Sequence, residues 1–328
     1  MKDLIIIGAG PAGISAAFEA QKADLDYLVL EKSLIATTIY KYPVGLAVFS
    51  TIDELEIVPN QLEPAREKPT REELLSYYVR FVLENKLKVQ TEEEVTSVEK
   101  LSEAHFKITT AKAVYESRAI LFATGAMDYQ RRLNVKGEDL PKVHHLFRET
   151  YPYVRKNALV IGGGNSAGEA ALFLAEEGAE TTLATFRADW ENTDPKQGCI
   201  KHWVKQPLEA QLEKNCLNVF FLNKVIEIRE KDVLLEAENG DVVTLENDVV
   251  FVLIGADADL TMLKDLGVKT ESTKYGEIPF HDAETFETNV GGVFVVGHFT
   301  EARHIKGAVT VPKQIVPKIA QMLREQTL

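Results

Sequence analysis

Wholly apolar runs that stop at a glycine recur along the chain. They stand at residues 4–7 before Gly8, 119–122 ahead of Ala123-Thr124-Gly125, 158–161 before Gly162, 249–254 before Gly255 and 293–296 before Gly297. A short strand with no polar side is one covered on both faces, as in a sheet with helices above and below it. Two of these runs lead into glycine turns and then into Ala-rich helical stretches: "LIIIGAGPAGISAAFEA" from Leu4 and "ALVIGGGNSAGEAALFLA" from Ala158. The first copy predicts a strand over 3–7, a helix over 11–22 and a strand over 26–30. The second predicts the same order over 158–161, 165–177 and 180–184. The chain is an internal duplication of one βαβ unit.

Elsewhere the pattern alternates with period two. "FKITT", "AVYES" and "VIEIREKDVLLEAENGDVVTLE" predict half-exposed strands, and Asn239-Gly240 marks a hairpin turn. "TREELLSYYVRFVLENK" predicts a long helix, with Thr70 as N-cap and Glu73 completing a capping box. "PLEAQLEKNCL" is helix-like, and a last helix is expected over 307–325. The fold class is α/β, with two Rossmann-like dinucleotide-binding domains and no long linker or low-complexity segment.

The glycine turns carry the candidate chemistry. In the first, Gly8 allows a tight turn, Gly10 lets a pyrophosphate approach the backbone, and Gly13 lets helix and strand pack closely. Pro11 and Ala12 open the helix, whose free N–H groups and dipole favour an anion. Glu31, with Lys32 beside it, ends the next strand, where an acid accepts hydrogen bonds from a ribose. The alternative is a plain βα turn with no ligand. In the second turn Gly162, Gly164, Asn165, Ser166 and Ala167 repeat the logic, with Ala in the third place. No acid ends the strand that follows; "LATFRAD" offers Arg187 instead, and Lys196 and Lys201 lie further along the loop. A cation there suits the 2′-phosphate of NADPH, with NADH left open.

Composition narrows the class. The 328 residues carry a net charge of −13, with 45% hydrophobic and 27% charged residues. That suits a soluble globular protein and argues against nucleic acid as a partner. No apolar run is long enough for a membrane span, and the start reads as a first strand rather than a signal peptide. Two cysteines, Cys199 and Cys216, make no disulfide framework, so a cytoplasmic protein is expected. His144 and His145 lack further ligands at metal-binding spacing, and no metal is expected. From Arg131 to Lys156 seven positive residues face three negative ones, a local excess suited to docking a small acidic electron carrier.

"GAGPAG", "ATG", "GGGNSA", "IG" and "GGVFVVG" occur in an order that resembles the thioredoxin-reductase-type pyridine nucleotide-disulfide oxidoreductases over nearly the whole chain. "KYPVGLAVFSTIDELEI", "KPTREELLSYY" and "NVKGEDLPKVHHLFRETYPY" resemble the bacillithiol disulfide reductase-like members more specifically. The resemblance implies FAD, NADPH and a homodimer. It implies an FAD-binding domain split into 1–122 and 260–328, with an NAD(P)H-binding domain at 123–259 inserted into it. It places FAD on Gly8, Gly10, Gly13, Glu31, Thr124, Gly125 and Gly297, and the nicotinamide cofactor on Gly162, Gly164, Asn165, Ser166, Ala167 and Arg187. The helix after the last glycine motif is expected to point at the flavin, with Arg303, His304 and Lys306 near the ring or the dimer surface and Tyr42 and Phe299 as candidate aromatics.

This chain departs from the pattern. The Cys-x-x-Cys pair of thioredoxin reductases is absent from the joining stretch 125–145, which reads as an interdomain hinge. Ala12 stands where the bacillithiol enzymes have a cysteine, His298 stands in place of the Asp after the last glycine, and Phe186 replaces the first of two arginines. No residue is assigned a catalytic role; the chemistry is flavin-mediated. The expected activity is FAD-dependent NAD(P)H oxidation with direct transfer from flavin to an external acceptor. That acceptor is a small-molecule disulfide of the bacillithiol type, or a carrier as in a ferredoxin/flavodoxin-NADP reductase. Less favoured are a flavin monooxygenase, whose F-x-G-x-x-x-H signature would need other residues at Val135 and Pro141, and a non-catalytic redox sensor.

Overall fold

The computed structural model describes residues 1–194, 199–273 and 276–326. They form two compact units, Met1–Tyr129 with Asp257–Leu328, and Gln130–Ala256. The chain thus crosses between units near 129/130 and 256/257, rather than at the expected 122/123 and 259/260. Two pairs show why 123–129 and 257–259 stay with the first unit: Lys32 with Asp128 at 2.5 Å, and the Tyr129 hydroxyl donating to Asp259 at 3.0 Å.

The first unit opens with strand β1 (Lys2–Ile7), helix α1 (Pro11–Lys22) and strand β2 (Tyr27–Leu30), close to the predicted bounds. Helix α2 (Arg71–Glu84) starts at the Thr70 cap, and the capping box with Glu73 is present in both directions. Strands β3 (Val89–Gln90), β4 (Val95–Ser102), β5 (His105–Thr110) and β6 (Val114–Phe122) follow. "AVYES" and "AILF" are therefore one strand: its first half pairs antiparallel with β5, and its second runs parallel to β1. The apolar β1 is explained by its two neighbours. Leu4 and Ile6 join the core shared with α1 and the C-terminal helix, while Ile5 and Ile7 join the core on the opposite face.

The second unit holds β7 (Val143–His144), β8 (Asn157–Ile161), α3 (Asn165–Glu176), β9 (Glu180–Thr185), the short helix α4 (Arg187–Glu191), α5 (His202–Glu213), β10 (Leu217–Ile228), β11 (Asp232–Ala237), β12 (Val242–Glu246) and β13 (Val249–Val252). Its sheet order is β12-β11-β10-β9-β8-β13-β7. The strands from β10 to β7 run parallel, and β10, β11 and β12 form the antiparallel end. Helix α5 begins before Pro207, earlier than "PLEAQLEKNCL" alone suggests. The joining stretch is not a free linker beyond residue 129. Buried Glu138 accepts the backbone N–H groups of Leu133 and Asn134 at 2.8 Å each, and anchors the stretch in the second unit.

The chain then returns to the first unit. Strand β14 (Val293–Val295) adds in parallel to β6, and helix α6 (His304–Glu325) packs along α1. A buried hydrogen bond from Ser15 Oγ to the Val309 carbonyl, 2.8 Å long, ties these two helices together. Each unit therefore has a parallel sheet whose first turn opens a helix.

Candidate functional site

The first glycine turn is a packed object. Gly8 has φ +107°, and a Cβ there would lie 2.5 Å from the Ala123 carbonyl oxygen. A Cβ on Gly13 would lie 1.8 Å from the Gly8 carbonyl oxygen, so helix and strand touch backbone to backbone. Gly10 differs: no atom of the chain comes within 4 Å of where its Cβ would be. The protein does not forbid a side chain at Gly10; an approaching ligand would. Gly10 is also the N-cap of α1 and offers no side chain to the first-turn amides. They are left for an anion.

The other expected flavin motifs converge on this turn. The Ala123 N–H donates to Ile7 O at 2.8 Å, which sets Thr124 and Gly125 beside Gly8. Thr124 Oγ1 is buried without a hydrogen-bond partner. Buried polar groups are nearly always paired, so this hydroxyl is set to meet a bound group. Gly297 lies against Ala12: a Cβ on it would come 3.3 Å from the Ala12 Cβ. Pro11 is in the first turn of α1. An open turn, an uncapped helix and an orphaned hydroxyl fit a dinucleotide such as FAD.

Glu31 is buried and already engaged. Oε2 accepts the Ala9 N–H at 2.7 Å and Oε1 the Ser33 N–H at 2.8 Å. The acid braces the glycine turn first; a carboxylate has further lone pairs for a ribose. Lys32 is paired with Asp128 and lines a cleft of about 510 Å3 with Glu92, Glu94 and Lys112.

His298 sits next to Gly297. Burial, then the nearby Arg303 and His304, push its pKa down to about 4. Its Nδ1 accepts the His304 N–H at 3.2 Å, so the neutral ring carries its proton on Nε2. His304 has φ +74°, a left-handed conformation at the entrance of α6. Lys306 is held by Glu54 at 3.1 Å. Phe299 is buried in the core, and Tyr42 packs against the core on the other face.

The second turn has the same backbone plan. A Cβ on Gly162 would lie 2.3 Å from Leu253 O, Gly164 is the N-cap of α3 without a side-chain bond, and Ala167 is buried. Ser166 is exposed. The Asn165 side chain has a structural partner, accepting the Lys201 N–H at 2.8 Å. Lys196 lies outside the described residues.

The cation at the strand end is committed elsewhere. Arg187 Nε donates to Glu238 at 2.6 Å, Nη1 lies 3.6 Å from Glu191, and the guanidinium stacks 4.1 Å from the Phe221 ring. The expectation that no acid serves this turn is also corrected. Asp189, in α4, presses its carboxylate on the turn: a Cβ on Gly163 would lie 2.0 Å from Asp189 Oδ2. Asp189 stands four residues beyond the strand end, and only the helical turn after Phe186 brings it back.

The remaining candidates have structural roles. His144 packs on Phe251 and Tyr153, and burial lowers its pKa. Cys199 is buried and Cys216 exposed, and they do not pair. In the basic stretch, Arg132 pairs with Asp139 and Lys136 with Glu227, which offsets part of its charge. Among the described residues no cluster of three or more His, Cys, Asp or Glu is arranged to hold a metal, and no helix is long and apolar enough to cross a membrane.

Known proteins share this architecture. Residues 5–297 match the model of the pyridine nucleotide-disulphide oxidoreductases. The bacilliredoxin reductase Bdr of Bacillus subtilis is 36% identical over 89% of this chain and 88% of its own. A ferredoxin–NADP reductase of Ignicoccus hospitalis is 28% identical over 98% of this chain and 94% of its own. The solved bacillithiol disulfide reductase Bdr of Staphylococcus aureus superposes with a TM-score of 0.90 at 34% identity, over 99% of each chain. A thioredoxin reductase of Lactococcus lactis shares the fold at a TM-score of 0.77 and 22% identity, over 99% of this chain and 100% of its own. The chain belongs to the pyridine nucleotide-disulphide oxidoreductase family and is a flavin-dependent oxidoreductase of thioredoxin reductase-like fold.

Proposed function

We propose that this enzyme holds FAD on the first unit and NAD(P)H on the second, and passes electrons from flavin straight to a small-molecule disulfide. One observation carries the reading. Both cysteines, Cys199 and Cys216, lie in the second unit, so the unit with the flavin turn contains no thiol at all. The position filled by cysteine in the bacillithiol enzymes is Ala12, buried against Gly297. With no thiol there to relay electrons, the acceptor meets the flavin itself.

When bound, the cofactors supply the redox chemistry, a hydride passing from nicotinamide C4 to flavin N5. The chain's own residues bind and orient. The uncapped start of α1 receives the pyrophosphate, Glu31 offers its remaining lone pairs to the adenosine ribose, and Thr124 Oγ1 gains the partner it lacks. His298 donates from Nε2 as a neutral ring. The net reaction balances as NAD(P)H, one proton and RSSR giving NAD(P)+ and two RSH. The disulfide class is favoured by the relatives named as bacillithiol disulfide and bacilliredoxin reductases. A cytoplasmic homodimer goes with the same reading. A one-electron carrier as acceptor is the second reading, favoured by the full-length match to a ferredoxin–NADP reductase.

The test is anaerobic stopped flow. The enzyme is reduced with NADPH or NADH and mixed with bacillithiol disulfide, a panel of other small disulfides, or oxidised ferredoxin or flavodoxin. Fast flavin re-oxidation by a disulfide is expected. Re-oxidation by the carriers alone overturns the disulfide reading in favour of the second, and no re-oxidation by any of them rejects both.

A further inference from the structure

The second unit's glycine turn brings an acid, not a cation, to the place where a dinucleotide's adenosine ribose is read. In a βαβ site the group that meets this ribose stands just past the second strand, over the glycine turn. Here the second strand is β9, and the chain bends at Phe186 into α4. Arg187 and Asp189 are two apart in that helix, so they point about 200° away from each other. Arg187 turns to Glu238, Glu191 and the Phe221 face. Asp189 turns onto Gly163, the middle glycine of the turn, and fills the space a side chain there would take.

We propose that Asp189 reads the adenosine ribose of the nicotinamide cofactor, accepting its 2′ and 3′ hydroxyls, and that the second unit takes NADH in preference to NADPH. This rests on the reading of the second unit as the nicotinamide site. Three observations converge. The Asp189 carboxylate has no hydrogen bond or ion pair among the described residues. It is half-buried, and burial raises its pKa. A desolvated carboxylate without donors is one to which a vicinal diol adds both. A 2′-phosphate brings two negative charges to the same spot, and like charges brought together cost several kcal/mol. Arg187 answers that phosphate only by leaving two carboxylates and an aromatic face.

Equilibrium binding to the FAD-loaded enzyme tests this without turnover. Titration calorimetry with NAD+, NADP+, ADP and 2′,5′-ADP is run on the wild type, Asp189→Asn and Arg187→Gln. Flavin content and circular dichroism verify that each variant is folded. The wild type is expected to bind NAD+ about tenfold or more tightly than NADP+, an interaction of the size a single charge contact gives. Asp189→Asn is expected to close most of that gap by gaining NADP+ and 2′,5′-ADP affinity. Equal affinities in the wild type, or tighter NADP+ binding that Arg187→Gln abolishes, overturn the proposal and restore Arg187 as the phosphate ligand. Failure of all four ligands to bind instead removes the nicotinamide site from the second unit, and the proposed function with it.

Discussion

The two glycine turns are copies of one plan, yet each treats its acid differently. In the first unit Glu31 comes from the strand end and spends both oxygens on backbone amides of the turn and of the segment after it. In the second, Asp189 comes from a helix, sits on the turn and has no donor among the described residues. One acid is part of the scaffold whether or not a ligand is bound. The other is held ready for one. The difference suits the two cofactors, a flavin that stays and a nicotinamide nucleotide that is exchanged in every cycle.

The largest contrast lies within the first turn itself. Gly13→Ala would put a Cβ 1.8 Å from a backbone oxygen that has nowhere to go. A loss of about 4 kcal/mol or more in stability is expected, with little folded protein recovered. Gly10→Ala meets no protein atom. Its flavin-free form is expected to melt within about 5 °C of the wild type, while FAD affinity falls on the order of tenfold or more. Thermal melts with and without added FAD read both effects. A Gly10→Ala protein that keeps its flavin would mean the turn does not carry the pyrophosphate.

The next contrast is between the acids. Glu31→Gln removes the charge from two buried backbone bonds and leaves one N–H facing an amide NH2. A destabilisation of about 2 kcal/mol is expected by urea titration of the flavin-free protein. Asp189→Asn removes a desolvated charge that has no partner. It is expected to leave stability within about 0.5 kcal/mol of the wild type or to raise it. Equal losses in the two variants would show that Asp189 is a brace like Glu31.

That asymmetry was only half legible in the sequence. Glycine spacing, apolar runs and the Thr70 capping box are local signals, and the elements they mark formed close to where the pattern puts them. Glu31 could be found because it ends a strand at the usual spacing. Asp189 could not: its reach back to Gly163 depends on where α4 starts, which no pattern around "TFRADWE" fixes. Arg187 stood out as the nearest cation, while its partner Glu238 is 51 residues away in sequence and meets it only through the sheet. Likewise the fusion of "AVYES" with "AILF" follows from β6 having one kind of neighbour along each half.

The smallest effect separates the two units by pH. His298, in the first, is held at a pKa of about 4 against an ordinary 6.5. Between those values the unfolded chain binds a proton that the folded one refuses, so the unit's stability rises with pH from about 4 to 6.5 and is flat above. Glu169, in the second unit, is raised by burial to about 7 from 4.5. There the folded chain keeps a proton that the unfolded one releases, so stability is full below 4.5 and declines as pH rises to about 7. Two-domain chains seldom unfold in one step, and here the probes are already separate. Both tryptophans, Trp190 and Trp203, report on the second unit, and flavin fluorescence reports on the first. The urea midpoint read by tryptophan is expected to fall from pH 4.5 to 7 and to flatten in Glu169→Gln; that read by flavin is expected to rise from pH 4 to 6.5 and to flatten in His298→Gln. Parallel curves from the two probes would mean that the units unfold as one, and that neither group sets the pH response of the unit that holds it.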